Sequence, residues 1–246
     1  MFEKTSTLQS LIRSRKTGCN PATRLLLLDQ RSTWEWRPIP RSFSTYQSEG
    51  MVSISSNQFS KAMAKTRSNL LSPGTQWTSI QIFLRTLWTR VKEAKTMRNL
   101  IGANPASPNC SNCGLLPERT LHLMYECNLA QQLWTTAITE FNSSLSEDNP
   151  EEQQVTLTQD MIMFNHAPSH LSVELSRDLL NIVMTIKHRI YLLRYRDNQN
   201  RLPSFRMALL WSILDIDKVV MVRQHNGINS SFLENINNKF KSVVGL

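Results

Sequence analysis

Four side chains in this sequence have the types and spacing for metal chemistry: Cys110, Cys113, His122 and Cys127. Two residues separate the first pair, eight lie between Cys113 and His122, and four lie between His122 and Cys127. Zinc takes four soft or borderline donors at tetrahedral corners, and a Cys-x-x-Cys turn offers two thiolates to one ion without straining the backbone. Gly114, directly after Cys113, eases that turn. With all four ligands supplied by protein, the expected site is closed, and its one structural Zn²⁺ contributes folding energy and no catalysis.

Three other readings compete for the same residues. A redox dithiol at Cys110 and Cys113 calls for a neighbouring βαβ pattern, which the sequence lacks. A nucleobase deaminase needs a His-x-Glu upstream of its Pro-Cys-x-x-Cys and an open coordination position, whereas His122 lies downstream and is followed by Leu123 and Met124. The third is chance alignment of four unrelated buried residues.

The elements that position these ligands are read from hydrophobic periodicity. Ile80, Leu84, Leu87, Val91 and Ala94 predict one helix over 77–101. Leu129, Leu133, Trp134, Ala137, Ile138 and Phe141 predict a short helix that stops at the Asn-Ser-Ser run of 142–144. Leu175, Leu179, Ile182, Val183, Ile186, Ile190 and Leu193 define a long helix. Ser204 is the expected cap of the next, with Met207, Leu210, Trp211 and Leu214 continuing one face. Ser231 and Glu234 match a capping box for the last. Between the second and third helices, 145–170 is an acidic connection in which only Val155, Leu157 and Met161 to Phe164 suggest a short strand or docked segment.

The fold expected is mainly α, a helical domain built around a CCHC zinc knuckle with a loosely ordered basic N-terminal arm. The divisions expected are 1–75 for the arm, 76–144 for lead-in helix, knuckle and following helix, 145–170 for the acidic connection, and 171–246 for a C-terminal helical region. In the arm, Trp34, Trp36 and Phe43 sit among arginines, where aromatics either stack on bases or dock the arm onto its own core.

Composition narrows the partner. The net charge is +9 and the pI about 9.7. It is unevenly spread: 16 basic against 5 acidic residues in 1–100, 1 against 8 in 101–160, and 11 against 6 in 161–246. Lys and Arg that neutralise phosphates release condensed counterions, so an acidic polymer is the default partner of such a chain. Seven glycines, none paired closely, remove the phosphate-cradling loops and with them nucleotide hydrolysis. The chain lacks a secretory leader and a membrane-spanning run, so an intracellular, reducing location is expected, with nucleus and cytoplasm both open because the Arg13 to Lys16 run is too short to serve as an address.

The stretch Cys110-Ser-Asn-Cys113-Gly114, Glu118-Arg-Thr-Leu-His122-Leu, Glu126-Cys127 and Gln131-Gln-Leu-Trp134 resembles the zinc-binding domain at the C-terminal end of LINE-type, non-LTR retrotransposon reverse transcriptases. The likeness covers about 77–223, with its specificity concentrated in 98–134. It departs from the family pattern at Arg119, which separates Glu118 from Thr120, and at Asn128, where the family commonly has proline; neither is a ligand. The resemblance implies a nucleic-acid-binding accessory to reverse transcription, binding RNA or single-stranded DNA beside a reverse transcriptase polymerase domain of the full-length element. No Asp-Asp pair that could hold polymerase metals is present, and Asp215-Ile-Asp217-Lys218 has the wrong spacing for a restriction-like nuclease, so no enzyme activity is expected.

For phosphate contacts the candidates are Lys92, Lys95 and Arg98 on the lead-in helix and Lys187, Arg189, Arg194 and Arg196 on the long helix. Trp88 and Trp134 either stack on bases or pack the core. The alternative function, from a different class, is a zinc-scaffolded helical protein-interaction module that engages a partner through the acidic loop from Glu147 to Asp160 or through the N-terminal arm.

Overall fold

Short polar side chains open most of the helices. In the computed structural model, which describes residues 45–46, 48–49, 54–66, 71–97, 107–148, 153–194 and 204–246, helix α1 spans Ser56–Lys65 and α2 spans Pro73–Phe83. Ser55 and Gln58 form a reciprocal capping box at the first, and Ser72 accepts the Thr75 amide at the second, with Pro73 at its first position. Helix α3 is Arg90–Met97, a π-helical turn covers His122–Glu126, and α4 runs Asn128–Asp148. Thr158 caps α5 (Gln159–Phe164), Ser172 caps α6 (Val173–Leu193) and Ser204 caps α7 (Phe205–His225); α8 is Ser231–Val244. Each such oxygen satisfies one of the amides a helix leaves unpaired at its start. The fold is mainly helical, as expected, and the described residues contain no strand.

All described residues fall in one compact unit, Pro38–Leu246, with a single core. Helix α6 is its axis, packing against α2, α4, α5, α7 and the π-turn. All seven of its predicted apolar positions are buried. The expected divisions near 144 and 170 do not divide this core. Residues assigned to the arm also enter it: Tyr46, Phe59, Ala62, Met63 and Leu71 are buried, and Phe59 meets Phe83 edge-on at 5.0 Å between ring centroids. The arm's Trp34, Trp36 and Phe43 lie outside the described residues.

The single helix expected over 77–101 is two. Helix α2 stops at Phe83, Arg85 takes a left-handed φ of 56°, and α3 begins at Arg90. Tertiary contacts hold the break. The Arg85 guanidinium pairs with Glu49 and lies over the Tyr46 ring, while the Lys92 ammonium donates to the Arg85 and Leu87 carbonyls at 2.6 and 2.8 Å. The apolar stripe survives the bend because Ile80, Leu87 and Ala94 are buried from both sides of it.

Other boundaries also differ. Helix α4 continues through Asn-Ser-Ser to Asp148, because Asn142 exchanges two hydrogen bonds with the Val155 backbone and Ser144 is buried. The acidic connection is therefore partly a docked segment. Met161, Ile162, Met163 and Phe164 form α5 and are fully buried; a six-residue helix has no stability of its own, and burying each such side chain contributes about 1.5–3 kcal/mol. On α7 the buried face is Ala208, Leu209, Ile213, Ile216, Val219 and Val220, while Met207 and Leu214 of the predicted face point outward. The Ser231–Glu234 capping box is absent: Asn229 accepts from the Ser231 amide and hydroxyl, and Glu234 meets Gln224.

Several charged groups deep in the bundle are paired. Asp178 and Arg223 form a buried ion pair between α6 and α7, and Arg189 is held by Asp215 across the same interface. The fully buried Lys187 donates to the Asn165 side-chain oxygen Oδ1, and the Asn165 side-chain nitrogen donates to the Thr66 hydroxyl at 2.9 Å. Burial lowers the Lys187 pKa from 10.5 to about 7. Between these values the unfolded chain holds more protons than the folded one, so this group adds stability as pH rises from 7 towards 10. Against Lys187→Met, the wild-type chain should gain up to about 1.4 kcal/mol per pH unit across that window in chemical denaturation. A difference independent of pH would show that the ammonium is not desolvated.

Candidate metal centre

The two halves of the cysteine cluster arrive by different local devices. Residues 108–118 fold back on themselves: Asn109 and Pro117 form an antiparallel bridge, the Cys110 amide donates to Leu116 at 2.8 Å, and the Glu118 amide donates to Pro108 at 2.8 Å. Between them the chain turns tightly enough for the Gly114 amide to reach the Cys110 carbonyl at 2.7 Å, with Gly114 at φ 72°. That left-handed value is where glycine carries no side-chain penalty. The turn places Cys110 and Cys113 side by side.

His122 and Cys127 come from the π-turn. Its closing bond runs from the Cys127 amide to the His122 carbonyl at 2.7 Å, spanning five residues instead of four, and it brings both ligands to the knuckle. Such turns are frequent at functional sites. Carbonyls in it are met from α4, where the Trp134 indole donates to Met124 at 2.7 Å and the Gln131 amide to Tyr125. Trp134 is therefore a core residue; Trp88 is 41% exposed.

The four ligand atoms lie within 4.8 Å of one another. The Cys110 and Cys127 sulfurs are 3.9 Å apart, and Cys113 Sγ is 3.4 Å from His122 Nε2. Cys110, Cys127 and His122 are buried and Cys113 half-buried, which makes this a compact candidate metal site. The hydrogen bond to Cys127, reinforced by burial, pushes the Cys110 thiol well above its usual range, and the same bond draws the Cys127 thiol down. His122 Nε2 faces the sulfurs. Its Nδ1 has no hydrogen-bond partner and lies 3.9 Å from the Glu126 carboxylate, the kind of group that orients ligand imidazoles.

Behind the ligands stands a residue whose position in the sequence marks it only as part of the ligand-bearing segment. Glu118 is fully buried, and its carboxylate accepts from the Ser111 amide and hydroxyl (3.1 and 2.9 Å), the Arg90 amide (2.8 Å) and the Arg194 guanidinium (3.0 Å). One side chain thus joins the knuckle to the start of α3 and the end of α6. Asn112 adds a second tie, donating to the Ile190 carbonyl at 3.3 Å.

The predicted phosphate contacts fare unequally. Lys187 is sealed in the core, and Arg194 is buried against Glu118 and the Trp88 carbonyl, so neither faces solvent. Arg189 is occupied by Asp215 and by the Trp211 ring, and Lys92 by backbone carbonyls. The expectation of a phosphate-binding face on α6 is corrected at Lys187, Arg189 and Arg194. Long cations at helical spacing look solvated in a sequence, but here each has a tertiary acceptor. Lys95 is exposed; Arg98 and Arg196 lie outside the described residues.

Removing one partner of a buried ion pair leaves the other charge uncompensated, at a cost of about 3–5 kcal/mol. Glu118→Ala and Arg194→Ala should each destabilise by that order in urea denaturation, and the double substitution by clearly less than their sum. Additive losses would mean that the two side chains do not act as a pair. Comparisons with protein-family models, curated proteins and solved structures find no match for this chain.

Proposed function

We propose that the chain is a zinc-stabilised nucleic-acid-binding module of the type found at the C-terminal end of LINE-type reverse transcriptases, and that it performs no catalysis. The observation that carries the reading is the donor set. A tetrahedral zinc with bonds of about 2.3 Å to sulfur and 2.0–2.1 Å to nitrogen has ligand edges of about 3.8 Å between sulfurs and 3.6 Å from sulfur to nitrogen. The spacings of 3.9 Å for Cys110–Cys127 and 3.4 Å for Cys113–His122 fit that tetrahedron, and three thiolates with one imidazole suit zinc. When bound, the ion would lock the knuckle to the π-turn. Four protein ligands leave no coordination position for a substrate or an activated water.

The nucleic-acid half of the reading is supported by the basic charge and by what surrounds the knuckle. Leu115 and Leu116 project from its tip, Arg119 follows the buried Glu118, and Trp88 stands half-exposed beside the Arg194 network. Exposed apolar and aromatic side chains with an exposed arginine nearby suit stacked bases with a phosphate alongside. Retrotransposon RNA, or single-stranded DNA made from it, is the partner that the resemblance supplies. The protein-interaction reading retains one supporting observation, the outward apolar side chains Met207, Leu214 and Met221 on α7.

Native mass spectrometry of metal-replete protein should find one zinc, lost in His122→Ala, with chelation reducing the helical dichroism of the wild-type chain. Retained helicity without metal would remove the folding role. With zinc loaded, binding to single-stranded RNA should weaken as salt rises, and Arg119→Glu with Lys95→Glu should reduce the slope of log affinity against log salt by roughly two. Absence of RNA binding at low salt would move the role to the protein-interaction module.

A further inference from the structure

Away from the metal centre, a cleft of about 470 Å³ opens between α1 and the first half of α6, with His166 to Ser169 along its edge. Its charge is one-sided. Lys61 and Lys65 stand four residues apart on one face of α1, and Arg177 faces them from α6; all three are exposed, and no Asp or Glu is among the described lining residues. Like charges at that helical spacing repel weakly, a cost that a bound anion would relieve.

The interior is of a different character. Ala62, Leu180 and Met184 supply an apolar wall. Asn181, 3% exposed, also lines the cleft, and its amide nitrogen has no hydrogen-bond partner. Buried donors are ordinarily satisfied, and a half-turn of this side-chain amide would carry the unmet one from the packed side to the cleft, where a ligand acceptor fits. The floor is fixed by Asn165, held between Thr66 and the buried ammonium of Lys187, which gives the cleft a preformed shape.

We propose that this cleft binds a nucleotide, free or as one unit of a strand, with its phosphate between Lys61, Lys65 and Arg177 and its nucleoside against Leu180, Met184 and the Asn181 amide. The anion site follows from the cleft itself, whereas the choice of a nucleotide as ligand rests on the nucleic-acid reading above. None of these residues belongs to the metal site, and none was a phosphate candidate from the sequence.

The test is calorimetric titration of the full, zinc-loaded chain with uridine monophosphate, inorganic phosphate and a ten-residue oligouridylate, on wild type, Lys65→Glu, Arg177→Glu and Asn181→Ala, with dichroism to verify folding. Both reversals lie on exposed positions and should fold normally. Uridine monophosphate should bind more tightly than phosphate, each reversal should weaken it about tenfold, and Asn181→Ala should narrow its advantage over phosphate. Failure of the monophosphate to bind at millimolar concentration, or binding indifferent to both reversals, would overturn the proposal. Equal affinity for phosphate and uridine monophosphate would overturn its nucleoside half. If the oligomer binds and the reversals leave its affinity unchanged, the cleft falls and the nucleic-acid reading stands. If the monophosphate binds in the cleft and the oligomer binds nowhere, the cleft stands and the strand-binding reading falls.

Discussion

The carboxylate of Glu118 is the constraint on which the arrangement around the metal site depends. A charge removed wholly from water must be compensated by donors, and Glu118 finds four of them on three separate pieces of chain: Ser111 twice, Arg90 and Arg194. Satisfying that one group fixes where the knuckle sits, where α3 begins and where α6 ends. Arg194 is fixed in turn, because its guanidinium also serves the Trp88 carbonyl and lies over the Tyr191 ring. The knuckle is thereby attached to the helical bundle through a polar contact that is sensitive to geometry, and not through apolar packing alone.

The ligands themselves belong to the bundle's core. Cys110 and Cys127 share one apolar cluster with Leu123, Met124, Leu133 and Trp134, and the π-turn packs on α4, α5 and α6. Metal coordination and hydrophobic burial therefore act on the same residues. Without a metal, the Cys110 and Cys127 sulfurs, 3.9 Å apart, have chiefly each other for a polar partner in a site that offers little water.

What the sequence made legible was what depends on residue type and local period. The cysteine–histidine set could be read because coordination needs particular atoms at particular spacings, and α6 because one period of apolar positions runs unbroken from Leu175 to Leu193. The break at Arg85 was not legible, since it is held by Glu49, Tyr46 and Lys92, whose proximity exists only in the folded chain. The burial of the cations on α6 is illegible for the same reason: nothing local distinguishes a lysine that reaches solvent from one that reaches Asn165. Helix α7 carries apolar residues on more than one face, so Met207 and Leu214 offered as consistent a stripe as the buried Leu209 and Ile213. The role of Glu118 had a faint signal, a carboxylate inside a ligand-bearing segment, but its partner Arg194 lies 76 positions away.

The π-turn between the third and fourth ligands has a consequence for how this chain can change over evolutionary time. A turn with one residue fewer would close as ordinary α-helix and rotate everything after it by about 100°. Leu133, Trp134 and Phe141 would then swing off the core side of α4 at the same moment that Cys127 left the cluster. Single-residue insertions and deletions across His122–Cys127 thus carry two penalties that no single compensating substitution can relieve. Substitutions within the interval, by contrast, are constrained only at the side chains that face inward. Drift in this segment should proceed by replacement at fixed length, with the count of residues between histidine and cysteine its most durable trait.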